Sequence, residues 1–277
     1  MIIDGKKIAV EILKNISSEL NQKQPKPVLC DILVGADPVS LSYVTIKEKA
    51  AKSCGFEFLL EKLSIDSTTE DVVATIKRVQ TLPQLAGLIV QLPLPKHIDR
   101  KIVLDAIEAE VDVDCLSTTA SQSFYLNNSK LIPPTAGAIM AVLDTIKLDL
   151  SQKRFLVIGQ GDLVGKPVTH MLKSRGLAVT TADSSTENLA NITPFADVVI
   201  SATGQAGLIY GSMIKPGAIV IDAGTAESGG GIVGDVDFES VSKIASHISP
   251  VPGGVGPVTV AKLLENVLEV SRRKFLG

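Results

Sequence analysis

Apolar and polar positions along this chain follow two periods that take turns. At residues 8–20 the apolar side chains Ile8, Ile12, Ile16 and Leu20 recur every four positions, which predicts an amphipathic helix. Residues 28–34 form a short apolar run, the mark of a buried strand. Gly35, Ala36, Asp37 and Pro38 then turn the chain into a second helix, with Asp37 placed to cap it and Pro38 suited to its first turn. The pattern continues as strand at 56–63, helix at 69–82, strand at 86–92 and helix at 98–107. Residues 111–130 are rich in Ser, Thr and Asn and read as a loop, the natural place for a domain boundary. After Pro133, Pro134 and Thr135 a helical pattern runs to about Leu148. A second series starts at Lys153, with strands at 154–158, 178–182, 197–201 and 218–222 and a closing helix at 259–274. Strands alternating with helices predict an α/β fold with parallel sheets.

Composition narrows the partners more than the fold. The 277 residues are 45% hydrophobic, enough for one large or two ordinary domains with a substantial core. A net charge of −3 without blocks of like charge argues against nucleic acid as a partner. No apolar run reaches membrane-spanning length, and the opening residues lack the apolar stretch and cleavage site of a signal peptide. Cys30, Cys54 and Cys115 are widely spaced and form no CxxC pair, so reduced thiols and a cytoplasmic location are expected. His97, His170 and His247 lack metal-ligand spacing, and no metal site is expected.

Chemistry is concentrated in three places. The strand at 154–158 runs into Gly159, Gln160, Gly161, Asp162, Leu163, Val164 and Gly165, and then into a helix. Glycines at such a turn let backbone N–H groups approach a pyrophosphate at a helix N-terminus. The spacing is one residue longer than the usual dinucleotide fingerprint, and a glycine turn without a ligand is the bland alternative. Asp183, at the end of the next strand, stands where dinucleotide folds place an acid on a ribose hydroxyl, although Asp183 and Ser184 also read as a loop start. Upstream, Tyr43 and Lys47 share one helix face at i, i+4. Gln91 ends an apolar strand that Pro93 and Pro95 then break. A ring, an amine and an amide form a plausible site, though each alone reads as a packing or solvated residue.

Taken in order, several segments resemble the methylenetetrahydrofolate dehydrogenase/cyclohydrolase family. They are Tyr43-Val44-Thr45-Ile46-Lys47, Val90-Gln91-Leu92-Pro93-Leu94-Pro95, Asp112-Val113-Asp114, the glycine loop through Pro167, Val233-Gly234-Asp235-Val236 and Pro252-Gly253-Gly254-Val255-Gly256-Pro257. The resemblance covers essentially the whole chain. It implies two α/β domains flanking a cleft, with residues 1–132 and 258–277 as the catalytic, folate-binding domain and 133–257 as a Rossmann-type NAD(P)-binding domain. The last helix would pack back on the first domain. The implied activity oxidises 5,10-methylenetetrahydrofolate to the methenyl form by hydride transfer to a nicotinamide, then hydrolyses that cation to 10-formyltetrahydrofolate.

Family roles carry over residue by residue. Lys47 is implied as the acid/base, Gln91 as the group that orients it, Tyr43 as a stacking ring and Asp114 as the pterin anchor. A lysine serves near neutral pH only when burial or positive charge lowers its pKa. Pro252, Gly253, Gly254 and Pro257 would contact substrate. Cofactor contacts are implied for the glycine loop, Asp183 and Ser184, and further for Thr203, Gly204, Asp222, Gly224 and Thr225. A homodimer is the implied assembly.

The chain departs from the family pattern in four places. Cys115 replaces the usual Gly after Asp114, and is strained if that position needs a positive φ. Pro134 stands in Pro133-Pro134-Thr135-Ala136 where the family usually has Cys. Ala223, Thr225 and Ala226 alter the family's IDVGIN run. Gln160 and Asp183 replace the Arg and His found in NADP-using members, which favours NAD without excluding NADP. Three other readings stand beside the bifunctional enzyme. They are a dehydrogenase with weak cyclohydrolase activity, a silent folate- or dinucleotide-binding protein, and an unrelated dehydrogenase of amino or hydroxy acids.

Overall fold

Two parallel sheets organise the chain, each within its own body. The computed structural model describes residues 1–20, 25–228 and 231–276. The first body comprises Val10–Pro134 with Val260–Gly277, and the second Met1–Ala9 with Thr135–Thr259.

The first body carries most of α1 (Gly5–Leu20), then β1 (Val28–Val34), α2 (Pro38–Cys54), β2 (Glu57–Leu63), α3 (Thr69–Gln80), β3 (Leu85–Val90), α4 (Arg100–Asp105) and α5 (Thr118–Tyr125). Its sheet has the order β2-β1-β3, with β1 pairing in parallel to both neighbours. β1 is therefore interior, and its residues from Leu29 to Val34 are all buried. Local chemistry sets the helix ends. The Asp37 carboxylate accepts from Ser40 N at 2.8 Å, and Gly55 closes α2 at φ 100°. Thr68 and Asp71 satisfy each other's backbone N–H in a capping box that starts α3.

The second body carries α6 (Pro134–Thr145), β4 (Arg154–Ile158), α7 (Gly165–Ser174), β5 (Ala178–Ala182), β6 (Val198–Ser201), β7 (Ile219–Asp222), β8 (Ala226–Ser228), β9 (Gly231–Val233), α8 (Phe238–Ser242) and β10 (His247–Ile248). Its five-stranded parallel sheet runs β10-β7-β6-β4-β5. The chain leaves β4 to one side for β5 and returns to the other side for β6. That reversal is the topological switch point of a doubly wound fold. The α9 helix (Val255–Ser271) begins in this body and returns to the first. There Asn266 Nδ2 donates to the carbonyls of Val113 and Ile132 at 2.8 Å each, fixing both segments.

The structure departs from the sequence reading in identifiable ways. The stretch read as loop at 111–130 contains α5, because Ser117 caps it and Ala120 and Phe124 are buried on one face. The elements β8, β9, α8 and β10 are too short to leave a period. The last helix starts at Val255, inside the glycine- and proline-rich loop, since Pro257 falls in its first turn where no amide is needed. Residues 1–9, assigned to the first domain, group with the second body. Ile2 bridges to Ile248, Ile3 N donates to Ile248 O at 2.8 Å and Gly5 N to Gly253 O at 3.1 Å.

All three cysteines are free thiols and buried, and burial pushes the Cys30 thiol up to about 12 and the others upward. A thiol reagent is expected to leave all three unmodified in the native protein and to label all three in denaturant. Rapid native labelling would contradict this burial. Among the described residues, no helix is long and apolar enough to cross a membrane.

Candidate active site

The first body gathers its polar chemistry around one amine. Lys47 lies on α2, only 7% exposed, and an ammonium so placed needs partners. Gln91 Oε1 accepts from Lys47 Nζ at 2.8 Å, the contact expected from the sequence. Gln91 holds that orientation because its own N–H continues the ladder to Ile32 O at 2.9 Å, and its Nε2 donates to Leu92 O at 2.7 Å. The Leu92–Pro93 peptide is cis and turns the chain away immediately beyond.

The second partner of Lys47 is not foreseen in the sequence. Asp31 Oδ2 lies 2.5 Å from Lys47 Nζ, from the centre of β1, with no exposed surface. Burial raises the Asp31 carboxyl, and Lys47 pulls it back down. The one sequence signal is a single acid inside the apolar run Val28-Leu29-Cys30-Asp31-Ile32-Leu33-Val34. The charged side chain nearest the Lys47 amine is thus a carboxylate.

Asp114 follows Val113, whose carbonyl Asn266 holds. It keeps partial exposure, yet burial pushes its carboxyl up to about 6, with Lys47 lowering it and Asp112 and Asp31 raising it. Cys115 takes φ 58°, the left-handed conformation the family's glycine would adopt freely. The cost is about 1–2 kcal/mol for a residue with a Cβ. Tyr43 lies one turn before Lys47 on α2 and is half-buried.

In the second body the expected cofactor residues gather at the C-terminal ends of β4, β5, β6 and β7, beside the switch point. Gly159 has φ 89°, and a Cβ there would lie 2.4 Å from Ala202 O. A Cβ on Gly165 would lie 1.8 Å from Gly159 O. Those two glycines thus close the turn against β6 and α7, whereas a Cβ on Gly161 meets nothing within 4 Å. Val164 precedes α7 without a side-chain cap, Lys166 N donates to Gly161 O at 3.1 Å, and Pro167 has no N–H, so Gly165 brings the first-turn amide nearest the turn. Gln160 Nε2 donates to Gly159 O at 3.0 Å and to Thr169 Oγ1 at 3.3 Å, and Asp162 pairs with Lys166 at 2.7 Å. Asp183 is exposed and accepts from Ser185 N and Oγ, which holds its carboxyl below the usual range, while Ser184 follows in the same turn. This open, glycine-built cradle fits a dinucleotide.

Asp222 ends β7. It is 2% exposed, and its oxygens accept from the N–H groups of Gly224, Asp235 and Val236 at 2.9, 3.1 and 2.9 Å. Burial is the main cause that pushes its carboxyl up to about 6. These bonds hold the turn after β7 against the segment at Asp235 and Val236. Asp235, unmarked as a site residue, does the same: its Oδ2 accepts from Ser201 Oγ at 2.8 Å and from Thr203 N at 2.6 Å. Gly204 has φ 70°, and a Cβ there would lie 3.7 Å from Thr225 O, so the β6 and β7 loops are neighbours. The loop with Pro252, Gly253, Gly254 and Pro257 also belongs to the second body, where Gly254 N donates to Pro250 O at 2.8 Å.

A lysine-centred site on one α/β body and a dinucleotide cradle on the other define a nucleotide-dependent enzyme class. Residues 3–114 match the family described as tetrahydrofolate dehydrogenase/cyclohydrolase, catalytic domain, and residues 133–275 match its NAD(P)-binding domain. The chain belongs to the tetrahydrofolate dehydrogenase/cyclohydrolase family. It is 41% identical over 276 residues to the bifunctional protein FolD of Bacillus pumilus, covering 98% of each chain. The crystal structure of the bifunctional FolD enzyme from Campylobacter jejuni superposes with a TM-score of 0.94 at 36% identity over 99% of each chain. The Trypanosoma brucei enzyme, solved with NADP and an inhibitor, gives 0.94 at 36% identity over 100% of this chain and 99% of its own.

Proposed function

We propose that this chain oxidises 5,10-methylenetetrahydrofolate to the methenyl form with NAD(P) and hydrolyses that product to 10-formyltetrahydrofolate. The observation that carries the reading is the buried Lys47 amine held at 2.8 Å by Gln91. Gly159, Gln160, Gly161, Asp162, Val164 and Gly165 would hold the nicotinamide cofactor, which would supply the hydride acceptor. Hydride loss leaves the folate carbon cationic between two nitrogens. Lys47 takes the proton of the water that attacks this carbon, and Gln91 holds the amine in place. Tyr43 offers a ring face to the folate. Asp114, as an anion, accepts paired hydrogen bonds from the amino-pyrimidinone edge. The loop with Pro252, Gly253, Gly254 and Pro257 supplies further substrate contacts. Thr203, Gly204, Gly224 and Thr225 border the cofactor, and Asp222 sets their loop.

Mixing the protein with methylenetetrahydrofolate and either nucleotide tests this directly. Reduced nicotinamide should form and the methenyl absorbance should stay low. No reduction with either nucleotide would sink the reading, and steady methenyl accumulation would remove its hydrolytic half.

Asp114 gives the site a pH signature. Its anion is lost as pH falls through about 6, so kcat/KM for the folate should decline below that pH. Because the folded pKa lies above the ordinary carboxylate value of 3.8, protonating Asp114 stabilises the fold between those values. Stability and folate capture therefore move in opposite directions there. A pH profile flat down to pH 5 would remove Asp114 from the substrate contacts.

The cofactor reading is NAD in preference to NADP. It rests on Gln160 in place of a cation and on the exposed anion of Asp183, which a 2′-phosphate would meet as a like charge. Asp183→Ser should move the ratio of kcat/KM values toward NADP by roughly two- to fivefold, the range of an exposed charge pair. A wild-type ratio already favouring NADP would overturn the preference. The working form is proposed as a cytoplasmic homodimer, to be read by sedimentation equilibrium.

A further inference from the structure

Asp31 sits in the site in surroundings that do not suit a permanent anion. It has no exposed surface, its Oδ1 has no hydrogen-bond partner among the described residues, and its Oδ2 faces the Lys47 ammonium. A carboxylate normally has about four lone-pair sites to satisfy, and one N–H leaves this one poorly solvated. Its surroundings add no compensation. Cys30 beside it on β1 is a neutral thiol at ordinary pH, and Asp114 and Asp112 on the following loop bring more negative charge. Glu61 on β2 and Arg78 on α3 neutralise each other at 2.8 Å. Lys47 from α2 is the cation that keeps Asp31 ionised.

We propose that Asp31 is the internal proton store of Lys47, accepting its proton when the cationic folate forms beside the amine and returning it after hydrolysis. The inference rests on the folate reaction proposed for this chain. When the methenyl cation appears, two like charges share the site and the ion pair loses its advantage. A Lys47 N–H bond breaks, an Asp31 O–H bond forms, and the lysine lone pair is freed. The amine then removes a proton from water as the water oxygen bonds the cationic carbon, whose π pair moves onto the adjoining nitrogen. Neither step needs a proton exchanged with solvent; the one proton that hydrolysis liberates then leaves the Lys47 ammonium for solvent, and Asp31 returns its stored proton to the emptied amine, which restores the ion pair. Asp31 acts through Lys47 and is a positioning residue rather than a catalytic one.

Asp31→Asn keeps the shape and an acceptor for Lys47 and removes the ability to take up a proton. Methenyl hydrolysis at pH 7 should fall about tenfold or more in kcat and become dependent on hydroxide, rising with pH. Hydride transfer and the folate KM should change by no more than about threefold, since neither needs the store. Asp31→Glu should recover a substantial part of the hydrolytic kcat. A D31N enzyme with wild-type hydrolysis and pH profile overturns the proposal. If wild-type protein itself shows no methenyl hydrolysis, the folate reading fails first, and separately. A measurement on the wild type guards against variants that do not fold. Binding of a slowly hydrolysed cationic folate at pH 8, followed in buffers of different ionisation enthalpy, should release no proton, and release of one proton per site overturns the proposal.

Discussion

Lys47→Met is expected to slow methenyl hydrolysis by roughly 10²–10⁴-fold, the usual contribution of a positioned acid/base. Gln91 would remain, but an amide cannot take up the proton. The same change should cost stability. It strips the partner cation from a fully buried Asp31, and breaking a buried pair costs about 3–5 kcal/mol. Activity and stability must therefore be separated. Pairing Lys47→Met with Asp31→Val removes both charges and leaves apolar groups of similar size. Such replacements are often neutral in stability. Urea unfolding of the double variant should recover most of the loss while hydrolysis stays absent. Hydrolysis within about threefold of wild type in Lys47→Met would reject the assignment of Lys47.

Gly165→Ala should damage the other reaction. The added methyl would lie 1.8 Å from Gly159 O, a contact that backbone on both sides must open. Overpacking of this kind costs about 1–3 kcal/mol. Its larger effect falls on binding, because the displaced atoms are the start of α7 and the turn after β4. We expect KM for the nucleotide to rise at least about tenfold, with hydride transfer correspondingly weak at fixed nucleotide. Methenyl hydrolysis draws on Lys47, Gln91 and Asp114 in the first body and should stay within about threefold. Gly161→Ala is the matched control for folding, since its methyl meets no protein atom within 4 Å. An unaltered nucleotide KM in Gly165→Ala would show that the cradle is not where the nucleotide sits.

How much of the fold and site is legible in the sequence depends on the range over which each signal acts. The strands β4 and β6 fall where apolar runs and turn residues place them, because buried parallel strands record their burial locally. The Lys47–Gln91 contact is legible too, since a recurring motif implies it. Asp31 is not, because a single acid in an apolar strand does not say which face it occupies or what lies opposite. Asp235 escapes for a related reason. Its ties to Ser201 and Thr203 bridge distant segments, and no local period records such a bond. The helix α5 is hidden by composition: Ser and Thr mark caps and loops equally well. The first nine residues, counted with the first domain from the sequence, group with the second body because backbone pairing, which leaves no side-chain pattern, attaches them there.

That attachment has a bearing on solubility. The short β10 strand stands at one margin of the five-stranded sheet, and an unprotected margin invites pairing with another molecule. Ile2 and Ile3 occupy it, so these residues serve as a cover for β10. The opposite margin, β5, has no such cover and carries exposed Thr180 and Thr181 in place of a run of large apolar groups. A protein shortened by its first four residues would keep every group assigned here to catalysis and cofactor binding. It would also bare the sheet on the side that has no polar defence, and self-association rather than lost chemistry would be its first defect.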